Sequence, residues 1–408
     1  MASTPMTLTD FSAFLKRLYP DKAPENVASR NRVWLTMVPK AEDFYGFESG
    51  GTMAIPLQYA NPGGRSATAA NVYTALGDQV TAGKYARFLL TRSSEFAGVQ
   101  LGSEVLHASK RDAGAFAAAR KSEVDGMLDE LGHALSLNLY GDGTGVRGTC
   151  STLSVNLVTF TVADDAKNFR VGMTVESGPN ADGSSLNAGN TTVTNVDEDN
   201  GQITLASAAA MTGFGANDFL FEKGDSGNIK MMGLAGWIPL TAPSATTFFG
   251  LDRSVDTTRL GGVRVDNTSA SIEDNIMTVA ERVFRVGGKP DCVFLNPVNF
   301  TTLSKSYSAK IEFEGGGGSA TIGFETIKVA TSAGIVKVYP DPDCPTNRGY
   351  VLTKKTWKFH HMLGAPHIVE DDGLMAVRID GKDAIMVRGR CYGNLACTAP
   401  AHNGVFSV

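Results

Sequence analysis

The chain has 408 residues, of which 42% are hydrophobic and 19% charged, with 45 glycines and a formal net charge of -5. That apolar content excludes a mainly disordered protein and suffices for two or more domains. The negative balance argues against a sequence-independent DNA binder, which needs basic patches to neutralise phosphates.

The N-terminus shows no basic region followed by an apolar core, so no secretory signal is read there. No run approaches the length needed to cross a bilayer. Phe11, Phe14, Leu15 and Leu18 form one short amphipathic helix, closed by Pro20. Ile55, Leu57 and Tyr59 then alternate, followed by a small, polar tip from Asn61 to Thr68 and a second alternating run from Tyr85 to Val99. Two strands around a long tip make an extended arm, marginal alone and in need of a partner surface.

Residues 111–145 contain Val124, Leu128, Leu131, Leu135 and Leu139 at helical spacing. Asp112 is placed to cap the start, and Gly141 and Gly143 stop the helix after Tyr140. At 1.5 Å per residue it runs about 43 Å. Gly114, Gly126 and Gly132 weaken it, so packing must hold it.

From 150 to 225 the texture changes. Short period-two runs (155–162, 173–176, 191–196, 202–205) alternate with polar turns such as Asn180–Gly183 and Asp199–Gly201, which reads as a small all-β unit. After Ile229, α and β alternate. Ser269 or Ser271 caps a helix with Ile272, Ile276, Val279, Val283 and Phe284 on one face, ended by Gly287-Gly288. Cys292–Leu295 is a buried strand, Asn296-Pro297 opens a further helical turn, and Gly315–Ser319 is a flexible loop. Residues 327–339, 349–352 and 357–361 read as strands, and 375–378 with 384–390 form a late β pair turned at Asp380-Gly381-Lys382.

Catalytic patterns are sparse. His360, His361, His367 and Glu370 are the best metal candidates, but adjacent histidines on a strand point to opposite faces and Pro366 interrupts the path. Gly315–Ser319 lacks the Lys-Ser/Thr ending of a phosphate loop, and no GxSxG nucleophile elbow is present. Asp371-Asp372 reads as a solvated turn. The five cysteines lack paired spacing and read as buried, reduced thiols. Accordingly no catalytic residue, cofactor or metal is expected.

The order IPLQYANPGGRSAT, FLLTRSSEFAGVQLGSEVLHASKRDAGAF and KSEVDGMLDELGHALSLNLYGDGTG resembles the major capsid proteins of tailed double-stranded DNA bacteriophages. So do GLAGWIP, FFGLDRSVDTTRLGG, DCVFLNPVNFTTLSKS and the run from Phe324 to Tyr339 followed by DPDCPTNRGYVL. The resemblance implies an α+β chain with the HK97-type fold. Its parts would be an N-terminal arm (1–40), an extended two-stranded arm (41–106) and a spine helix of a peripheral domain (107–149). An inserted β domain (150–226), a connecting segment (227–265), an axial α/β domain (266–370) and return strands of the peripheral domain (371–408) would follow.

The implied function is a structural subunit that self-assembles into hexamers and pentamers of an icosahedral head. The head would be built in the host bacterial cytoplasm and would enclose double-stranded DNA without tight specific binding. Implied partners are a separate scaffolding protein and a portal, with a decoration protein optional, and no membrane. Arg65 at the arm tip and Arg87 and Arg92 on its second strand are candidates for contacts with neighbours. Lys84 is another, because some relatives crosslink an arm lysine to an asparagine, for which Asn394 is the candidate here. Glycines near 46–51 and 98–102 are candidate hinges for the arm. Rival readings are an encapsulin-like compartment shell and an α/β enzyme with an appended β domain.

Overall fold

The computed structural model describes residues 32–45, 51–73, 81–103, 113–308, 327–369 and 376–408. The helix expected at 11–18, the loop at 315–319 and the acidic turn at 370–372 lie outside these residues. So does Asp112.

Helix α1 (Val33–Met37) buries Trp34 and Leu35. Its Trp34 N–H, an orphan donor of the first turn, is satisfied 2.8 Å away by Asp341 Oδ2. Strand β1 (Lys40–Glu42) follows. The arm is β2 (Met53–Ala60) paired with β3 (Lys84–Leu90), carrying a one-turn helix, α2 (Ala70–Tyr73), near its tip. The arm's second strand stops at Leu90, not at Val99. After Thr91 and Arg92 the chain turns into a separate strand, β4 (Ser93–Gly102), paired along its whole length with a late strand of the body. The alternation is continuous through the turn, so periodicity alone joined two strands that belong to different sheets.

Spine helix α3 (Ala113–Tyr140) spans 28 residues. Its second half is buried on more than the single expected stripe: Met127, Leu131, Ala134, Leu135, Ser136, Leu139 and Tyr140 are all enclosed. One side lies on the peripheral sheet, where a Cβ at Gly389 would meet Met127 and Leu131 at 3.2 and 3.4 Å. α1 lies against the spine too, and Arg32 donates to the Asp129 carbonyl.

The inserted domain is a closed six-stranded barrel. Its strands are β5 (Val146–Ser154), β6 (Leu157–Phe160), β7 (Thr174–Gly178), β8 (Thr191–Asp197), β9 (Gln202–Leu205) and β10 (Phe219–Glu222). It begins four residues before the expected boundary. Cys150, Val158, Phe160, Val175, Val193, Ile203, Leu205 and Leu220 fill its interior. Closure removes every open sheet edge.

Helix α4 (Leu234–Trp237) and the hairpin of β11 (Thr247–Phe248) and β12 (Leu251–Asp252) then lead to β13 (Val263–Val265). Helix α5 (Ile272–Arg285) is capped by Ser271, whose Oγ accepts from Asp274 N at 3.1 Å, and Gly287 leaves it at φ +91°. Strand β14 (Cys292–Leu295), helix α6 (Pro297–Ser308), β15 (Ile327–Thr331), β16 (Gly334–Pro340) and β17 (Arg348–Leu352) continue the axial part. Long strands β18 (Trp357–Ile368) and β20 (Ala384–Cys397), with short β19 (Ala376–Arg378) between them in sequence, form the peripheral sheet with β1 and β4. Finally β21 (Gly404–Ser407) closes the chain.

The axial sheet has the order β13-β21-β17-β14-β16-β15. Ile276, Val279 and Val283 of α5 and Leu303 of α6 share a core with Val293, Leu295, Val329, Val338 and Val351 of this sheet. Three segments therefore sit elsewhere than the sequence boundaries placed them. β13 and β21 complete the axial sheet, whereas β18, expected in the axial domain, is central to the peripheral one. Strands buried on both faces are continuously apolar and carry no sign of which sheet they enter. The chain thus crosses between sheets at 353–356 and again at 398–403. Buried Asn403 clamps both crossings: its Oδ1 accepts from Thr353 N and Trp357 Nε1, each at 2.8 Å, and its Nδ2 donates to Thr356 Oγ1 and Ala399 O at 3.0 Å.

Asn403→Ala strands the Thr353 and Trp357 donors, at a cost of roughly 1–3 kcal/mol per buried group. Denaturant unfolding of the subunit should show the loss, and an unchanged midpoint would refute the clamp.

Candidate assembly interface

The arm is rooted in an aromatic cluster. Phe88 is buried, 5.0 Å from the Trp237 ring and 6.0 Å from Phe248. Leu89 N–H donates to the Phe249 carbonyl at 2.8 Å. The Arg253 guanidinium lies 3.7 Å over Phe248 and donates to the Gly236 and Trp237 carbonyls, both at 3.0 Å. Burial, with the charge of Arg264, lowers Arg253 to about 10, so it stays cationic at neutral pH and holds the ring by its quadrupole. Ile55, opposite Phe88 in register, is buried beside it.

Away from the root the arm changes character. The register slips between Gln58 and Ala60. Beyond that point Tyr85 is 71% and Tyr73 86% exposed, and Arg65 and Lys84 are exposed on the same element, with Arg87 one step nearer the root. The structure therefore gathers Arg65, Lys84 and Arg87 on one arm. Arg92 does not join them. It sits at the turn into β4 with Nη1 3.5 Å from the Phe44 carbonyl and 3.3 Å from Met362 Sδ, so it ties the turn to its own subunit. The hinge expected near Gly98–Gly102 is likewise displaced, because those residues are paired with β20 throughout. Residues 46–50 lie outside the described residues.

Asn394 is buried and engaged within the chain. Its Oδ1 accepts from Met232 N at 3.0 Å and its Nδ2 donates to the Thr91 carbonyl at 2.8 Å. It is not presented to an incoming lysine. His360 Nδ1 is 2.6 Å from Asp43 Oδ1, and Lys358 Nζ is 3.2 Å from Asp43 Oδ2. Burial alone would raise Asp43, but these partners hold it below the usual carboxylate range. That pair fixes β1 on β18 and leaves His361 turned the other way. Among the described residues no three His, Cys, Asp or Glu side chains converge to hold a metal ion. All five cysteines are buried and unpaired, and burial pushes Cys391 and Cys397 up to about 12. No helix among the described residues is long and apolar enough to cross a membrane.

The neck between barrel and body is held by charge. Lys230 Nζ lies 2.7 Å from Glu95 Oε1 of β4 and 2.6 Å from Asp225 Oδ2. Arg147 reaches Glu222 at 2.8 Å, Arg170 pairs with Glu130 of the spine, and Lys167 pairs with Asp164 and the Pro342 carbonyl. Sequence reasoning missed this group. A lone lysine before Met231-Met232 and scattered acids around a barrel carry no periodic signal. Asp165 lines the neck cavity of about 190 Å³, where burial lifts its carboxyl to about 7 against the partial offset of Lys167.

A family model described as SU10 major capsid protein matches residues 208–372. The solved capsid of cyanophage A-1(L) shares the fold at TM-score 0.53 and 12% identity, covering 97% of this chain and 98% of that one. The chain thus has the fold of a phage capsid subunit, and its residues 208–372 match a major capsid protein family. The capsid of Myoviridae phage XM1 aligns at TM-score 0.46 and 7% identity, over 96% of this chain and 97% of that one. The encapsulin complex of Synechococcus elongatus PCC 7942 aligns at 0.44 and 7%, over 95% and 90%. No curated protein matches the sequence.

Two outcomes test the neck. Lys230→Met leaves Glu95 and Asp225 without their shared cation and should cost about 3–5 kcal/mol, read by chemical denaturation. Asp165 has its folded pKa above the unfolded one, so its contribution is fully present below about pH 4 and lost as pH rises through about 7. Asp165→Asn should therefore raise the melting temperature at about pH 8 and leave it nearly unchanged at about pH 4; equal shifts at both would refute the assignment.

Proposed function

We propose that this subunit builds rings of six and five that close into an icosahedral head around double-stranded DNA. The observation that carries this reading is the arm: a long two-stranded element, rooted in the core by Phe88, whose outer half displays Tyr73, Tyr85, Arg65 and Lys84 to solvent. An isolated hairpin of this kind is marginal in water, and exposed aromatics of this size mark contact surfaces. A neighbouring subunit is the partner that a shell supplies. Each contact is modest, and ring closure makes the sum stable.

The protein acts without catalysis of its own. Assembly takes place in the cytoplasm of a bacterial host, with a separate scaffolding protein, a portal and, on the outside, a decoration protein. The interior meets DNA without binding it tightly, in keeping with the net charge of -5. The arm pivots at the slip between Gln58 and Ala60, since Ile55 and Phe88 on the body side of it are packed in the core.

Velocity sedimentation and electron microscopy of the expressed chain should show closed shells or rings. Arg65→Glu with Lys84→Glu should abolish or weaken them by at least tenfold in yield while leaving the subunit's melting temperature unchanged, because both side chains are exposed. Shells of normal yield from the double variant would remove the arm from the assembly contact.

A further inference from the structure

The barrel has two unlike ends. Strand β5 leaves the neck and β6 returns to it, so the turn between them, with the loop 206–217 that packs on it through Ala208 N and Asn156 Oδ1, forms the end remote from the body. The neck end is crowded with Arg147, Asp164, Lys167, Arg170, Glu222 and Asp225. The two remote segments, residues 151–157 and 206–217, carry no charged side chain.

This uncharged crown is also apolar at its rim. Val155 is 86% exposed and Leu157 36%, and Ala209 and Ala210 of the loop packed on this turn are exposed. Val155 further has φ +56°, a conformation that a β-branched residue rarely adopts. Its neighbour holds it there: the Asn156 carbonyl accepts from Leu205 N at 2.8 Å, and Asn156 Oδ1 accepts from Ala208 N at 2.9 Å. Two hydrogen bonds thus fix the turn while an apolar side chain is presented outward under backbone strain. A glycine or asparagine would remove the strain, and folding alone gives no reason for valine.

We propose that the crown meets the same crown of a second copy of this chain across a symmetry axis, with Val155 near its centre. This rests on the shell reading above. The choice of occupant follows from charge. In a contact between identical surfaces, groups near the axis approach their own copies, and like charges there repel. A surface swept clear of charge suits that contact, in a chain that is 19% charged overall. A surface shaped for a different protein has no such constraint and can carry complementary charges for steering and register.

The test uses shells of the full chain purified from expressing cells. Val155→Cys should give a reductant-sensitive dimer band in oxidised shells and none in dissociated subunits; the parent, whose five cysteines are buried, should give none in either. Val155→Gly relieves the strained φ, so its dissociated subunit should melt no lower than the parent, yet its shells should dissociate at lower denaturant. Val155→Lys should lower shell stability further and make it rise with salt. Intact Val155→Cys shells without dimers, together with Val155→Gly shells as stable as the parent, would overturn the crown contact and leave the shell reading standing. A crown protected from hydrogen exchange only when a second protein is added would overturn it in favour of a decoration protein. A parent chain that forms no shells would overturn both.

Discussion

One run of touching aromatic rings, mostly edge to face, organises the subunit. Phe88 at the arm root touches Trp237, Trp237 is 6.5 Å from Trp357, Trp357 is 6.3 Å from Trp34, and Trp34 is 5.0 Å from Phe294, which stacks on Tyr339. The chain has three tryptophans and all three lie in this run. They come from the short helix after the barrel, the start of β18 and the N-terminal helix, so the arm, both sheets and the N-terminus meet at one column. Each buried ring contributes about 4–6 kcal/mol of apolar transfer, before entropy is subtracted. Two of the three indole N–H groups are satisfied: Trp237 Nε1 donates to the Leu395 carbonyl and Trp357 Nε1 to Asn403, whereas Trp34 Nε1 is buried without a hydrogen-bond partner among the described residues. Because arm and body share this column, the arm's base is as rigid as the core, and its freedom begins farther out.

Around the column, buried polar groups decide how the parts are oriented. Asp341 accepts from Trp34 N and from Tyr140 Oη, each at 2.8 Å, and so ties the N-terminal helix and the end of the spine to the axial loop. Burial raises Asp341 despite those donors, and it drives the Tyr140 hydroxyl well above its ordinary value. Such groups add little net stability, but each pairing fails if an element shifts. The neck uses the same device with full charges. The barrel is thereby held to the body by Arg170, paired with Glu130 of the spine, and by Lys230, which joins Asp225 to Glu95 of β4.

Much of this was legible in the sequence because local patterns are strong signals. The spine helix, the Ser271 cap, the Gly287 stop and the β character of 150–225 follow from periodicity and turn chemistry. Sheet membership was not legible. The alternation from Tyr85 to Val99 crosses a two-residue turn without a break, and Gly404–Ser407 is buried on both faces, so its partners are invisible in its composition. The arm charges Arg65, Lys84 and Arg87 could be placed because they flank a recognisable tip. Arg92 could not, since its role depends on Phe44 and Met362, brought near only by the fold. Lys230, Asp341 and Asn403 were silent for the same reason: their partners are distant in sequence.

The position of β21 makes the axial sheet a late-forming unit. It lies between β13 and β17, so without it the axial sheet is a lone strand and a separate four-stranded piece. Its pairing with β13 joins residue 263 to residue 404, and contacts so far apart in sequence form slowly. The hairpin of β15 and β16 can close early, whereas the sheet as a whole waits for the long-range pairing of β21.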